Sequence, residues 1–355
     1  MKPLFKFTSK LLVATVLVTT LGSSSLMAET KDKFQVAWTI YVGWMPWDYA
    51  QNKGIVDKWA KKYDIEIEMV QVNDYIESIN QYTVGKFDAC VMTNMDALTI
   101  PAAGGVDSTA LIMGDFSNGN DGVILKNKKS LNDIKGQTVN LVELSVSHYL
   151  LARGLESVGM SEKDVKVMNT SDADIVAAFT SDEVTAVTTW NPQLSELKAM
   201  KNANLVFDSS KIPGEIVDML LVHTDTLNDN PKLAKALTGA WFEVLALMKK
   251  GDKEALEFMA KASGTDLAGY KSQLASTKMF YEPSEALNFA LSSELPKTMK
   301  KVSEFSFDHG LLGEGAPDAG FIGMEFPGSK IFGDKNNIKL RFIDTYVKMA
   351  NEGKL

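Results

Sequence analysis

From Phe34 onward, short β-branched runs alternate with amphipathic stretches of helical period, and no other feature limits the possible folds as strongly. FQVAWTI reads as a strand, WDYAQNKGIVDKWAKKY as a helix, IEIEMVQV as a strand and DYIESINQYTVG as a helix; FDACVM, MDALTIPAAGG and STALIMGDF continue the pattern. This order implies an α/β fold with parallel-rich sheets and helices on both faces, and such sheets bind ligands at the carboxyl ends of their strands. At DFSNGNDGVILK the composition turns to Gly, Asn, Asp and Ser, which predicts a flexible connection and a hinge. A second alternating set follows, from QTVNLVE through SHYLLARGLESVGM, VKVMNT and DADIVAAFTSDE to VTAVTTW, before FDSSKIPGEIVDMLLV recrosses. Beyond Asn230, PKLAKALTGAWFEVLALMKK puts Leu233, Leu237, Trp241, Val244 and Met248 on one helical face. EALEFMAKAS and SEALNFALSSELPKTMKKVSEF read as further helices, and residues 315–333, rich in Gly and Pro, as an ordered loop.

The resulting division is a leader over residues 1–28, a first lobe over 29–117, a second over 118–218, and a return to the first over 219–355. Lys2, Lys6 and Lys10, then LLVATVLVTTL and GSSS, have the layout of a secretory signal peptide, which predicts export. No later apolar run reaches the roughly 18–20 residues that span a bilayer, so a soluble extracytoplasmic chain is expected. The single Cys90 excludes an internal disulfide and a lipid anchor behind the leader, and within DACVM it reads as a buried, inert thiol. A net charge of −8 argues against nucleic-acid and anionic-membrane partners and favours the approach of cations. A monomer is expected.

Trp38, Tyr41, Trp44, Trp47, Asp48 and Tyr49 crowd the first strand-to-helix turn, which takes three of the six tryptophans. A small flat ligand explains such a turn better than packing alone. Trp38 suits either a ligand wall or a core stripe, and Asp48 either a ligand contact or the first-turn acid that a helix dipole favours. Asn94 and Asp96 follow the first lobe's third strand, where Asp96 also suits an N-cap.

WMPWDYAQNKGIV, KSLNDIKGQTVNLVELSVSHYLLARGLESVGM and DADIVAAFTSDEVTAVTTWNPQ together resemble the periplasmic solute-binding proteins of nitrate, taurine and sulfonate type ABC importers. The tail MEFPGSKIFGDKNNIKLRFIDTYVKMANEGKL resembles a branch found beside urea carboxylase-like enzymes and linked to uptake of guanidine or urea. The resemblance implies a type II binding protein: two α/β lobes joined by crossing strands, a ligand in the cleft, lobe closure, and delivery to a membrane permease without catalysis or cofactor. In relatives that take anions, backbone N–H groups at the start of a helix receive the ligand's oxygens. The matching loop here is VELSVSHY, with Glu143 where a neutral or basic approach is usual and Leu144 in place of a frequent Gly.

A carboxylate on that loop would repel sulfonate or nitrate by roughly a few kcal/mol in a desolvated cleft. A planar cation, guanidinium above all, is the expected guest: aromatic faces attract it by about 0.5–2 kcal/mol each, and a carboxylate accepts two parallel N–H bonds from its edge. Urea is the alternative and would need a donor such as Asn191 or Ser145. A sulfonate-type or nitrate-type anion and a thiamine-like pyrimidine are further alternatives. Trp190 and Asn191 end a strand of the second lobe, where the resemblance favours contact. Glu215 and Asp218 lie on the returning crossover, facing the cleft or bracketing the hinge. His148, His223 and His309 are scattered without ligand spacing, so no metal site is expected, and Ser147 beside His148 is no catalytic pair. An enzyme on the same scaffold is the competing class, since pyrimidine-synthesising relatives of the fold use His and Cys; a lone buried Cys speaks against it.

Overall fold

The computed structural model describes residues 31–355, and the predicted leader falls outside the described residues. The first lobe begins with β1 (Lys33–Trp38), α1 (Met45–Asn52), α2 (Ile55–Lys62), β2 (Glu66–Gln71), α3 (Tyr75–Thr83), β3 (Ala89–Thr93), α4 (Asn94–Ala97) and β4 (Ser108–Ser117). The second lobe holds β5 (Asp121–Lys126), β6 (Thr138–Leu141), α5 (Val146–Ser157), β7 (Lys166–Asn169), α6 (Ile175–Thr180), β8 (Ala186–Trp190), α7 (Gln193–Lys198) and β9 (Ala203–Asp208). The chain returns through β10 (Val217–His223), α8 (Thr224–Asp229), α9 (Pro231–Lys249), α10 (Lys253–Ala262), α11 (Leu267–Leu274) and β11 (Thr277–Met279). It ends with α12 (Pro283–Ala290), α13 (Glu294–Asp308), β12 (Gly323–Phe326), β13 (Lys330–Phe332), β14 (Ile338–Phe342) and α14 (Thr345–Asn351).

These strands form two mixed sheets, as an α/β protein of two lobes requires. One runs β13-β12-β14-β4-β10-β3-β1-β2 with β11 beside β4, and the other β7-β6-β8-β5-β9. The βαβ units give parallel pairs, β1 with β2 and β3, and β6 with β7 and β8. β10 comes back from the other lobe and therefore inserts antiparallel between β3 and β4. Val217 and Asp218 thus already belong to the first lobe's sheet.

Local chemistry explains where the elements depart from the sequence pattern. The helix expected from Trp47 to Tyr63 is two helices, because Gly54 sits at φ 68, a left-handed conformation that a glycine adopts without steric cost. DFSNGNDGVILK is mostly strand rather than flexible loop: β4 continues to Ser117, β5 starts at Asp121, and only residues 118–120 turn between them. Several of its polar letters are satisfied internally. Ser117 Oγ pairs with the Asp121 carboxylate, and Ser209 Oγ accepts from Gly119 N–H at 2.7 Å. The helix expected over residues 284–305 breaks into α12 and α13, and the Gly/Pro-rich segment carries the two short strands β12 and β13.

The apolar face of α9 is buried as its pattern requires, with Leu233, Leu237, Trp241, Val244 and Met248 all in the core. Cys90 is buried, and burial pushes its thiol up to about 12. Among the described residues no helix is long and apolar enough to cross a membrane.

Candidate ligand site

A cavity lies where the two lobes meet, at the carboxyl ends of β1, β3 and β8 and against the crossing strands. Its walls are Tyr41, Trp44, Tyr75 and Thr93 of the first lobe, Val146 and Trp190 of the second, and Asp121, Ile216 and Asp218 of the connecting segments. The centre of a water-sized sphere has about 20 Å³ to move in. One water needs roughly 10–15 Å³ by that measure, so the space suits a guest of a few non-hydrogen atoms.

The rings form a connected box. Tyr41 meets Trp44 edge-on with centroids 4.9 Å apart, Trp44 stacks on Tyr75 at 5.8 Å, and Trp190 reaches across from the second lobe to meet Tyr75 edge-on at 5.6 Å. The turn after β1 brings Tyr41 and Trp44 inward because Gly43 lets the chain pass close to an acid. A Cβ at that position would lie 2.6 Å from Asp115 Oδ2.

Three buried carboxyl groups converge on this box. Asp115 and Asp218 are directly opposed on antiparallel β4 and β10, and Tyr41 donates its hydroxyl to Asp115 at 3.1 Å. Asp121 opens β5, and all three lie in the buried set without an ion-pair partner among the described residues. Burial is the leading cause that pushes Asp115 and Asp121 up to about 7, and it drives Asp218 well above the usual carboxylate range, with the facing Asp115 charge adding to it. Two like charges across a sheet pair resist joint ionisation, so Asp115 and Asp218 titrate as a unit that keeps a proton. No Lys, Arg or His lines the cavity.

Of the residues singled out from sequence, Tyr41, Trp44, Trp190 and Asp218 are brought together in the wall. Trp38 and Trp47 are buried in the core; Trp47 packs on Trp241 with centroids 4.9 Å apart. Asp48 sits half-buried on α1, accepting from Asn52 Nδ2 at 2.8 Å. Asn94 bonds the crossover instead, donating to Glu215 O at 3.1 Å and accepting from Val217 N–H at 3.0 Å. Glu143 is exposed and outside the wall, because the loop before α5 turns its side chain to solvent.

The two donors considered for urea are already engaged. Ser145 Oγ donates to Val142 O at 2.7 Å, and Asn191 Nδ2 to Asn120 Oδ1 at 2.8 Å. Glu215 is tied into an ion cluster with Arg153 and Lys301. Asp96 lies one layer behind the wall, accepting from the Tyr75 hydroxyl at 2.7 Å and Thr93 Oγ1 at 2.8 Å. The first N–H of α5, that of Val146, acts on Asp96, and Ser147 N–H is taken by Ser145 Oγ at 3.2 Å. The helix start that would greet an anion is therefore directed at the protein's own groups.

Sequence reasoning missed Tyr75, Thr93, Asp121, Val146, Ile216 and the supporting Asp115. One signal was present: Asp115 and Asp218 each interrupt an otherwise apolar strand, LIMGDF and VDMLLV, where an acid has no structural use. Among the described residues, a group with metal-ligand geometry lies elsewhere, at His148, Glu162 and His309.

Residues 49–255 match a family model described as NMT1/THI5 like. Over 186 residues the chain is 24% identical to a Brucella abortus (strain 2308) protein described as a binding protein, covering 51% of this chain and 57% of that relative. It thus spans little more than half the length of the curated relatives it matches first. Over 136 residues it is also 24% identical to an Escherichia coli (strain K12) protein described as aliphatic sulfonates-binding, covering 38% of this chain and 42% of that one. The fold is similar to the alkanesulfonate-binding protein SsuA from Xanthomonas axonopodis pv. citri bound to MOPS, with TM-score 0.67, 18% identity, and 81% of this chain and 96% of that one covered. It is also similar to the periplasmic nitrate-binding protein NrtA from Synechocystis PCC 6803, with TM-score 0.56, 12% identity, and 90% and 98% covered.

Proposed function

Because the chain belongs to the NMT1/THI5-like family and has the two-lobed binding-protein fold, we propose that it is the periplasmic solute-binding component of an ABC importer and that its cargo is a small planar cation, guanidinium first. One observation carries the choice of cargo: buried carboxyl groups meet four aromatic rings in a cavity whose wall holds no basic side chain. A nitrate or sulfonate entering this box would find acids, and the first N–H groups of α5 are directed at Asp96 and Ser145. Guanidinium complements it on both counts. Its rim donates to the carboxylates, and its faces lie against Trp44, Tyr75 or Trp190. The lobes close over the guest, and a membrane permease reads that closure.

Urea is the second reading, favoured by the proton held between Asp115 and Asp218, since a protonated carboxyl donates to a carbonyl. Thermal unfolding with millimolar guanidinium, urea, taurine or nitrate separates the cargoes, because a ligand bound only by the folded form raises the melting temperature. Guanidinium is expected to give the largest rise. A rise with taurine or nitrate and none with guanidinium overturns the assignment.

A further inference from the structure

Away from the cavity, the fold brings together three side chains that the sequence scatters. His148 lies in the first turn of α5, Glu162 in the short turn after that helix, and His309 just beyond α13, which packs against α4 of the first lobe. We propose that His148, Glu162 and His309 bind a divalent transition-metal ion, zinc foremost, which pins the second lobe to α13.

The ligand atoms of the three residues lie within 4.8 Å of one another. Each Glu162 oxygen approaches a different imidazole Nε2. Two histidines and a carboxylate with one position left to solvent are a familiar zinc donor set. The Glu162 and His309 side chains are 27% and 21% exposed, so an ion can enter and keep a water.

Two details prepare these groups to exchange a proton for an ion. His309 Nδ1 donates to Phe305 O at 2.7 Å, and the Phe305 ring stacks on the imidazole at 4.0 Å; with that proton held on Nδ1, a metal that displaces the proton Nε2 shares with Glu162 Oε2 meets the ligating tautomer. His148 Nε2 is buried and makes no hydrogen bond of regular geometry, although Glu162 Oε1 is beside it. A shared metal places neighbouring ligand atoms off each other's lone-pair axes, whereas a hydrogen bond needs them on the axis.

Binding carries a cost with a consequence. His148 Nδ1 accepts from Leu144 N–H at 3.1 Å, and Leu144 holds a left-handed φ of 62. For Nε2 to ligate, Nδ1 must take the proton and Leu144 must turn its N–H away, which moves the loop leading to Val146 in the cavity wall. Metal and guest sites are thereby coupled, and any coupling in affinity is reciprocal.

The test is calorimetric titration of the chelator-treated protein with zinc chloride, followed by Co²⁺ substitution read by its visible absorption. One ion per chain is expected, with affinity at least about tenfold weaker in His309→Ala and in Glu162→Gln. Circular dichroism and metal-free thermal unfolding establish that both variants fold. Absence of zinc binding by the parent protein, equal binding by folded variants, or a Co²⁺ spectrum without nitrogen ligation each overturns the site. Guest binding in metal-free protein is measured separately, so failure here leaves the cargo assignment intact.

Discussion

Glu215 and Asp218 stand on the same crossover, yet the fold treats them in opposite ways. Glu215 accepts from Tyr149 at 2.7 Å, Arg153 Nε at 2.9 Å and Lys301 Nζ at 2.7 Å. Burial works against its charge, but the bonds from Arg153, Lys301 and Tyr149 outweigh it and hold the carboxyl below its usual range. Asp218, more deeply buried, faces another acid and has no cation. A cationic partner was thus available to this segment, and one was supplied where the lobes are braced. Where rings surround the acids, none is present, so Asp218, Asp115 and Asp121 face one another without a cation.

The sharpest way to break this contrast is Asp218→Asn. Loss of a desolvated carboxylate should weaken guanidinium binding by at least about 3 kcal/mol, or about a hundredfold, in titration calorimetry. The same change should leave the melting temperature of the guest-free protein at pH 8 nearly unchanged, since the amide can take over from the protonated Asp218 carboxyl as donor to Asp115. Undiminished affinity would mean that Asp218 is only structural. Glu215→Gln should do the reverse, leaving the cavity's acids in place and lowering thermal stability by about 1–3 kcal/mol, because Arg153 and Lys301 lose their shared partner. A stability equal to that of the parent protein would show that the brace contributes little.

Alternating strand and helix patterns made most of the architecture legible, because each lobe buries its sheet between helices and so repeats one period after another. The crossover strands were harder to read. β5 hides behind SNGNDG because serine hydroxyls, rather than apolar side chains, satisfy Asp121. Within the site, Tyr41, Trp44 and Trp190 were visible as aromatics at strand ends, while Tyr75 was not, since it opens α3 and looks like one more helical residue. Glu143 drew attention by departing from the resemblance, but the charge that faces the cavity comes from strands paired across long separations. No local pattern announces that pairing. The same limit applies to His148 and His309, which are brought together only by tertiary packing.

A subtler break concerns protons. The folded-state values of Asp115 and Asp121 are raised from 3.8 to about 7, so the folded form holds protons that the unfolded chain has released. The stability this gives is fully present below about pH 4 and is lost as pH rises towards 7, so the guest-free protein should melt lower at pH 7 than at pH 5 once other acids are allowed for by Asp115→Asn. Guanidinium needs the ionised form, and its affinity should climb over the same window. Urea taking a bond from the shared proton should lose affinity as pH rises. Opposite slopes for the two guests would sharpen the assignment, and a flat guanidinium profile would contradict the part given to the acid pair.

The smallest expected effect tests the rings rather than the acids. Trp190 is the one aromatic wall supplied by the second lobe, and it meets Tyr75 of the first lobe edge-on. Trp190→Leu keeps an apolar surface and removes the ring's negative face, which should cost guanidinium about 1 kcal/mol, or about fivefold in affinity. Urea carries no charge for that face to attract, so its binding should change less, and Trp190→Phe should recover part of the guanidinium loss. Equal losses for both guests in the Leu variant would assign Trp190 to shape alone. The preference for a cation would then rest entirely on the carboxyl groups of the crossing strands.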